Sequence, residues 1–77
     1  MIPLHVVAPV ARLTNREKEV VLLVTEGLTI AEAGRRLGVS ARTAESHLAH
    51  VMRKLGLHRR AEIVRFAIEH EHELAPD

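Results

Sequence analysis

The feature that most constrains this chain is a repeated grammar of helix starts and stops. Thr14 is followed three residues on by Glu17, and Thr29 three residues on by Glu32. In each T-x-x-E pair the hydroxyl and the carboxylate can satisfy backbone N–H groups that a helix start leaves open. Gly27, Gly38 and Gly56 stand where such helices would end. Apolar residues recur between these marks at helical spacing: Leu13, Val20, Val21, Val24 and Leu28, then Ala33 and Leu37, then Ala44, His47, Leu48, Val51 and Leu55. Ser40 can cap the third segment, with Thr43 in its first turn. In a fourth segment Ala61, Ile63, Val64, Ala67 and Ile68 share a broad arc, and Phe66 projects off its edge, where its ring either serves a dimer or folds back over Leu13 or the apolar tail. No stretch has a convincing strand period. The expected class is all-α, a compact four-helix domain over residues 13–72, with a tail or linker stub at 1–12 and a carboxyl-terminal tail at 73–77.

The second segment is only about two turns long, and the three residues Gly38, Val39 and Ser40 separate it from a longer third. That is the outline of a helix-turn-helix, whose steep crossing needs a small residue where the backbones meet. Gly34 fits that place. A glycine inside a helix costs about 1 kcal/mol relative to alanine, so close packing explains it better than propensity does. The plainer alternative is a helical hairpin whose glycines are only caps.

At 77 residues the chain is near the size at which a lone core is marginally stable, so a partner or a dimer interface would help it. It has no cysteine, which suits a reducing cytoplasm. The apolar start MIPLHVVAPVAR is broken by Pro3, His5 and Pro9, lacks a basic beginning and is too short to span a bilayer, so no membrane role is expected. The net charge of +1 hides an asymmetry. From Arg35 to Arg60 there are seven Lys and Arg against the single acid Glu45, while the rest has four basic and nine acidic residues. The central stretch is therefore the anion-binding candidate.

Helical angles locate the surface that would bind. At 100° per residue Arg42, Glu45, Ser46, Ala49, His50 and Arg53 gather on the arc opposite the core face of the third segment. This face is polar, of modest bulk and bordered by cations. It lies on the second helix of the turn motif and opens at a Ser/Thr-capped end able to hold a phosphate. Such a surface could be merely solvated, but the combination favours reading of the DNA major groove.

Histidines suggest no metal site. His47 and His50 diverge by about 60°, with His47 toward the core and His50 toward the groove, and neither these nor His70 and His72 have a third ligand at suitable spacing. No cofactor is expected. Nor is enzymatic activity, because no phosphate loop follows a strand and no nucleophile stands beside a base in a credible cleft.

The segments LTNREKEVV, EGLT, SARTAESHL, RKLGL and RRAEIVRFA resemble successive signatures of the LuxR-type (GerE-type) helix-turn-helix domain of bacterial transcription regulators, covering Leu13 to about Ile68. The resemblance implies four helices, the third (about 41–55) in the major groove and the fourth in dimer contacts. Base or groove contacts would fall on Glu45, Ser46 and Ala49, joined by the groove-facing His50. Phosphate contacts would fall on Thr29, Ser40, Arg42 and Thr43, helped by Arg53 and Lys54. Glu17 and Arg60 occupy positions that resemble a family pairing of the first and fourth helices.

Three positions depart from the pattern, since many relatives have lysine at Glu45, asparagine at Ile30 and a small capping residue at Arg59. A glutamate repels phosphate but can accept from a cytosine amino group. Glu45 is therefore either a base reader or an outward spectator held by Arg42 or Arg53. The implied partners are double-stranded DNA with a palindromic operator, a second copy of the chain held weakly through Glu62, Ile63 and Phe66, and RNA polymerase. Two other readings stay open: the promoter-reading helix-turn-helix of sigma factors, which shares the L-T-x-R-E-x-E-V opening, and a protein interaction module that binds no DNA.

Overall fold

The computed structural model describes residues 10–74. A 3-10 turn, Val10–Arg12, leads into α1 (Asn15–Thr25), α2 (Ile30–Leu37), α3 (Ala41–Leu55), α4 (Arg60–Glu69) and a last single turn, α5 (Glu71–Leu74). The expected four helices are α1 to α4, and there is no strand among the described residues.

Local chemistry sets where the helices begin. Thr14 Oγ1 accepts from Glu17 N at 3.1 Å while Glu17 Oε1 accepts from Thr14 N at 2.8 Å, and Thr29 with Glu32 repeats both bonds at the same lengths. At α4 only half of this device exists, because an arginine side chain has no acceptor. There Glu62 Oε1 alone takes the N–H groups of His58 at 2.9 Å and Arg59 at 2.8 Å. At α3 the position three residues beyond the cap holds Thr43, so its amino terminus carries no carboxylate.

All three capping carboxyls sit below their ordinary acidity range. For Glu32 the cause is the Thr29 N–H, and for Glu62 the N–H groups of His58 and Arg59. For Glu17 burial pushes the value up, and the bonds from Lys54 and Thr14 outweigh it. Carboxyls depressed in the folded state stabilise it above their unfolded value, about 4.3, and that contribution is lost as pH falls through the lower folded values. Urea midpoints should therefore hold steady from neutrality to about pH 5 and fall below about 4.3, less steeply in Glu17→Gln. An equally steep fall in that variant would remove Glu17 from the account.

α1 packs across α3 and α4, and α2 lies against α3 and α1. Val20, Val21, Val51 and Ile63 form the fully enclosed centre, ringed by Val24, Leu48 and Ala67. Val10 and Leu74, which lie outside the expected 13–72 span, also pack into this core. Two expectations on α4 are corrected, and of the two for Phe66 the inward one agrees with the structure. Ile63, expected near a dimer axis, is wholly buried, and Ile68, expected on the core arc, is 64% exposed. Phe66, expected off the arc, is half-buried against the core and stacks on the His70 ring at 4.3 Å. The inner face of α4 centres on Ile63, from which Phe66 is rotated by about 60° and Ile68 by about 140°.

The turn between α2 and α3 sets their crossing. Gly38 takes the left-handed conformation at φ 73°, and Val39 N bonds back to Gly34 O at 2.9 Å. Gly34 is buried against the chain that follows. A Cβ on it would stand 2.9 Å from Val39 O and 3.1 Å from Ser40 O.

Candidate nucleic-acid interface

The outward arc expected on α3 is present as a continuous surface. Arg42, Glu45, Ser46, Ala49, His50 and Arg53 are all exposed, while Ala44, Leu48 and Val51 of the same helix are buried. His47 is half-buried at the margin. Arg42 and Arg53 make no ion pair among the described residues. Glu45 likewise pairs with neither of them, so the spectator role held by an arginine has no support.

At the amino terminus of α3, Ser40 Oγ accepts from Thr43 N at 3.0 Å and lies 3.0 Å from Thr43 Oγ1. Two hydroxyls share one bond, which leaves one hydroxyl hydrogen for an outside acceptor. With Ser40 donating to Thr43, the outward donor is the Thr43 hydroxyl. Together with the open N–H groups of the first turn and no carboxylate, this end favours an anion. Thr29 is exposed at the start of α2, and its oxygen accepts from Glu32 N.

Lys54, expected on phosphate, is an exposed residue whose ammonium is taken up within the domain. Its Nζ donates to Glu17 Oε1 at 2.7 Å and to Arg12 O at 3.1 Å. Glu17 is 3% exposed, so its charge needs a partner, and Lys54 supplies it across the α1–α3 contact. This also corrects the expected pairing of Glu17 with Arg60, whose guanidinium instead donates to Leu28 O at 2.6 Å.

Two arginines counted in the sequence but given no role lie on α2. Arg35 and Arg36 are exposed and, with Leu28 and Glu32, line an open groove of about 360 Å³. The signal was available in the sequence: consecutive arginines in the last turn of a two-turn helix beside the motif's turn. Arg42 and Arg53 on α3 and Arg35 and Arg36 on α2 thus give two cation-bearing surfaces on the paired helices. No helix among the described residues is long and apolar enough to cross a membrane.

Comparison with known proteins finds transcription regulators. The chain is 44% identical over 63 residues to the transcriptional activator protein BjaR1 of Bradyrhizobium diazoefficiens, covering 82% of this chain and 26% of that protein. It is 50% identical over 52 residues to an HTH-type transcriptional regulator of Mycobacterium tuberculosis, covering 68% of this chain and 6% of that one. It is 38% identical over 61 residues to the oxygen regulatory protein NreC of Staphylococcus aureus, covering 79% and 28%. The chain therefore spans between about a sixteenth and little more than a quarter of these relatives. No solved structure matches it. The sequence pattern of bacterial regulatory proteins of the luxR family matches residues 11–67, most of the chain and every helix from α1 to most of α4, and the protein belongs to that family.

Proposed function

We propose that this domain binds double-stranded DNA in a sequence-dependent way as part of a bacterial transcription regulator, with α3 in the major groove. The observation that carries this reading is the outward face of α3: six exposed residues, with arginines near both ends that make no ion pair among the described residues, on the second helix of a helix-turn-helix. Ser46, Ala49 and His50, with Glu45, face base edges, and none is bulky enough to hold the backbone away. Arg42, Arg53, Thr43 and Thr29 take phosphates, with Ser40 orienting Thr43. Arg35 and Arg36 extend that contact along α2. A second copy related by a two-fold axis through the exposed side of α4 would match a palindromic operator. RNA polymerase and a cytoplasmic location follow from the same regulatory reading.

Selection from a random duplex pool, followed by salt titration of the selected site, tests this. Arg35, Arg36, Arg42 and Arg53, which make no ion pair among the described residues, predict that log K falls against log salt with a slope of roughly −3 to −4. An interaction module that reads no DNA would select nothing and show no slope.

Glu45→Gln separates two contributions of this face. Removing a negative charge from a phosphate-facing surface should raise affinity for unrelated duplexes about two- to fivefold, and loss of the carboxylate should relax preference at one cytosine of the selected site. Repeating the selection with the variant checks this. Tighter binding with an unchanged site would leave Glu45 only its repulsion.

A further inference from the structure

We infer that Lys54 is a positioning residue: it ties the last turn of α3 to the Val10–Arg12 turn on which the chain leads into the domain, so that the angle of α3 depends on that backbone. The inference rests on α3 being the DNA-reading helix. The amino end of α3 is already fixed by the close approach at Gly34 and the Val39 N to Gly34 O bond. The carboxyl end also closes in a left-handed turn, with Gly56 at φ 69° and Leu57 N bonded to Met52 O at 2.9 Å, but it has no close backbone approach like that at Gly34. It has Lys54, next in sequence to the outward Arg53 but rotated about 100° from it, with its ammonium directed inward.

Both acceptors of that ammonium belong to elements held by further contacts. The Glu17 carboxylate is out of water, and the same Oε1 that takes Lys54 also takes Thr14 N at 2.8 Å. The Arg12 carbonyl belongs to a turn closed by Leu13 N to Val10 O at 3.0 Å and anchored by two core side chains, Val10 at 3% and Leu13 at 5% exposure. An exposed ion pair would be screened and would fix little. Here one partner is desolvated and the second acceptor is backbone, so the geometry is shared by three elements: the lead-in turn, α1 and α3. A shift of the Val10–Arg12 backbone is thereby felt at the end of the reader helix beside Arg53.

Substitution of each partner in the full chain tests this, by affinity for a selected duplex at equal folded fraction and by backbone amide shifts without DNA. Lys54→Met and Glu17→Gln should each weaken binding about tenfold, with the double variant no weaker than either, as for two residues of one network. Lys54→Arg should restore most of the affinity and covers the case in which Lys54→Met is poorly folded. Amide shifts in both single variants should extend from Leu13 along α3 past Arg53. A direct phosphate role predicts otherwise: Glu17→Gln would leave binding unchanged or tighter, and Lys54→Met would lower the salt slope by about one. That result overturns the inference. If the unaltered chain binds no duplex, the DNA reading fails separately, and shifts confined to one turn around each substitution would overturn the coupling on their own.

Discussion

Gly34→Ala is expected to destabilise the domain by about 2 kcal/mol, opposite in sign to what helix propensity says. On an open helix surface alanine in place of glycine stabilises by about 1 kcal/mol. Here the added Cβ would lie 2.9 Å from Val39 O and 3.1 Å from Ser40 O, both backbone atoms of the turn. Backbone that is itself bonded, as Val39 N is to Gly34 O, cannot step aside as a flexible side chain would. The strain therefore passes to the α2–α3 crossing, and the cap of α3 at Ser40 moves with it. Urea unfolding should show a lower midpoint with unchanged slope, and the melting temperature should fall by about 8–16 °C for a domain of this size. On the proposed reading DNA affinity at equal folded fraction should also fall, because the displaced element carries Ser40 and Thr43 at the amino end of α3. A rise in stability would mean that the turn relaxes freely and that Gly34 is not what sets the crossing.

What could be seen in the sequence depended on how local its cause was. The starts of α1, α2 and α3 were legible because each capping hydroxyl and the N–H it accepts from lie three residues apart, within reach of a spacing argument. The outward face of α3 was legible for the same reason, since one helix carries it all. Lys54 was not, because the carboxylate that claims it is 37 residues distant, and nothing in its own neighbourhood distinguishes it from Arg53. Val10 and Leu74 escaped for a related reason: Pro3, His5 and Pro9 break the apolar stretch before Val10, and Leu74 follows a run of charged residues and histidines. On α4 the error was one of centre. Including Ala61 and Ile68 in the core arc pulled its middle away from Ile63, which put Phe66 outside and Ile68 inside.

That recentring gives the other large expectation. Ile63→Ala should cost about 2–5 kcal/mol, because Ile63 has no exposed surface and sits where α4 meets the shared core. A domain of this size holds only about 3–5 kcal/mol in its core, so much of the variant should be unfolded at 25 °C by circular dichroism. Ile68→Ser, five residues along the same helix, should change stability by less than about 0.5 kcal/mol, since Ile68 is 64% exposed. The contrast bears on assembly as well as on folding. A dimer through the exposed side of α4 has Ile68 to offer, with Glu62 toward its edge; it cannot use Ile63, and Phe66 lies about 160° around the helix from Ile68. Ile68→Ser should therefore abolish cooperative occupancy of a two-half-site duplex while sparing a single half-site. Phe66→Ser would confound the two readouts, because the ring also packs on the core and on His70. If Ile63→Ala stays folded with a midpoint near that of the unaltered chain, α4 is not part of the cooperative core. If Ile68→Ser keeps its cooperativity, the pairing surface is not on this side of the helix.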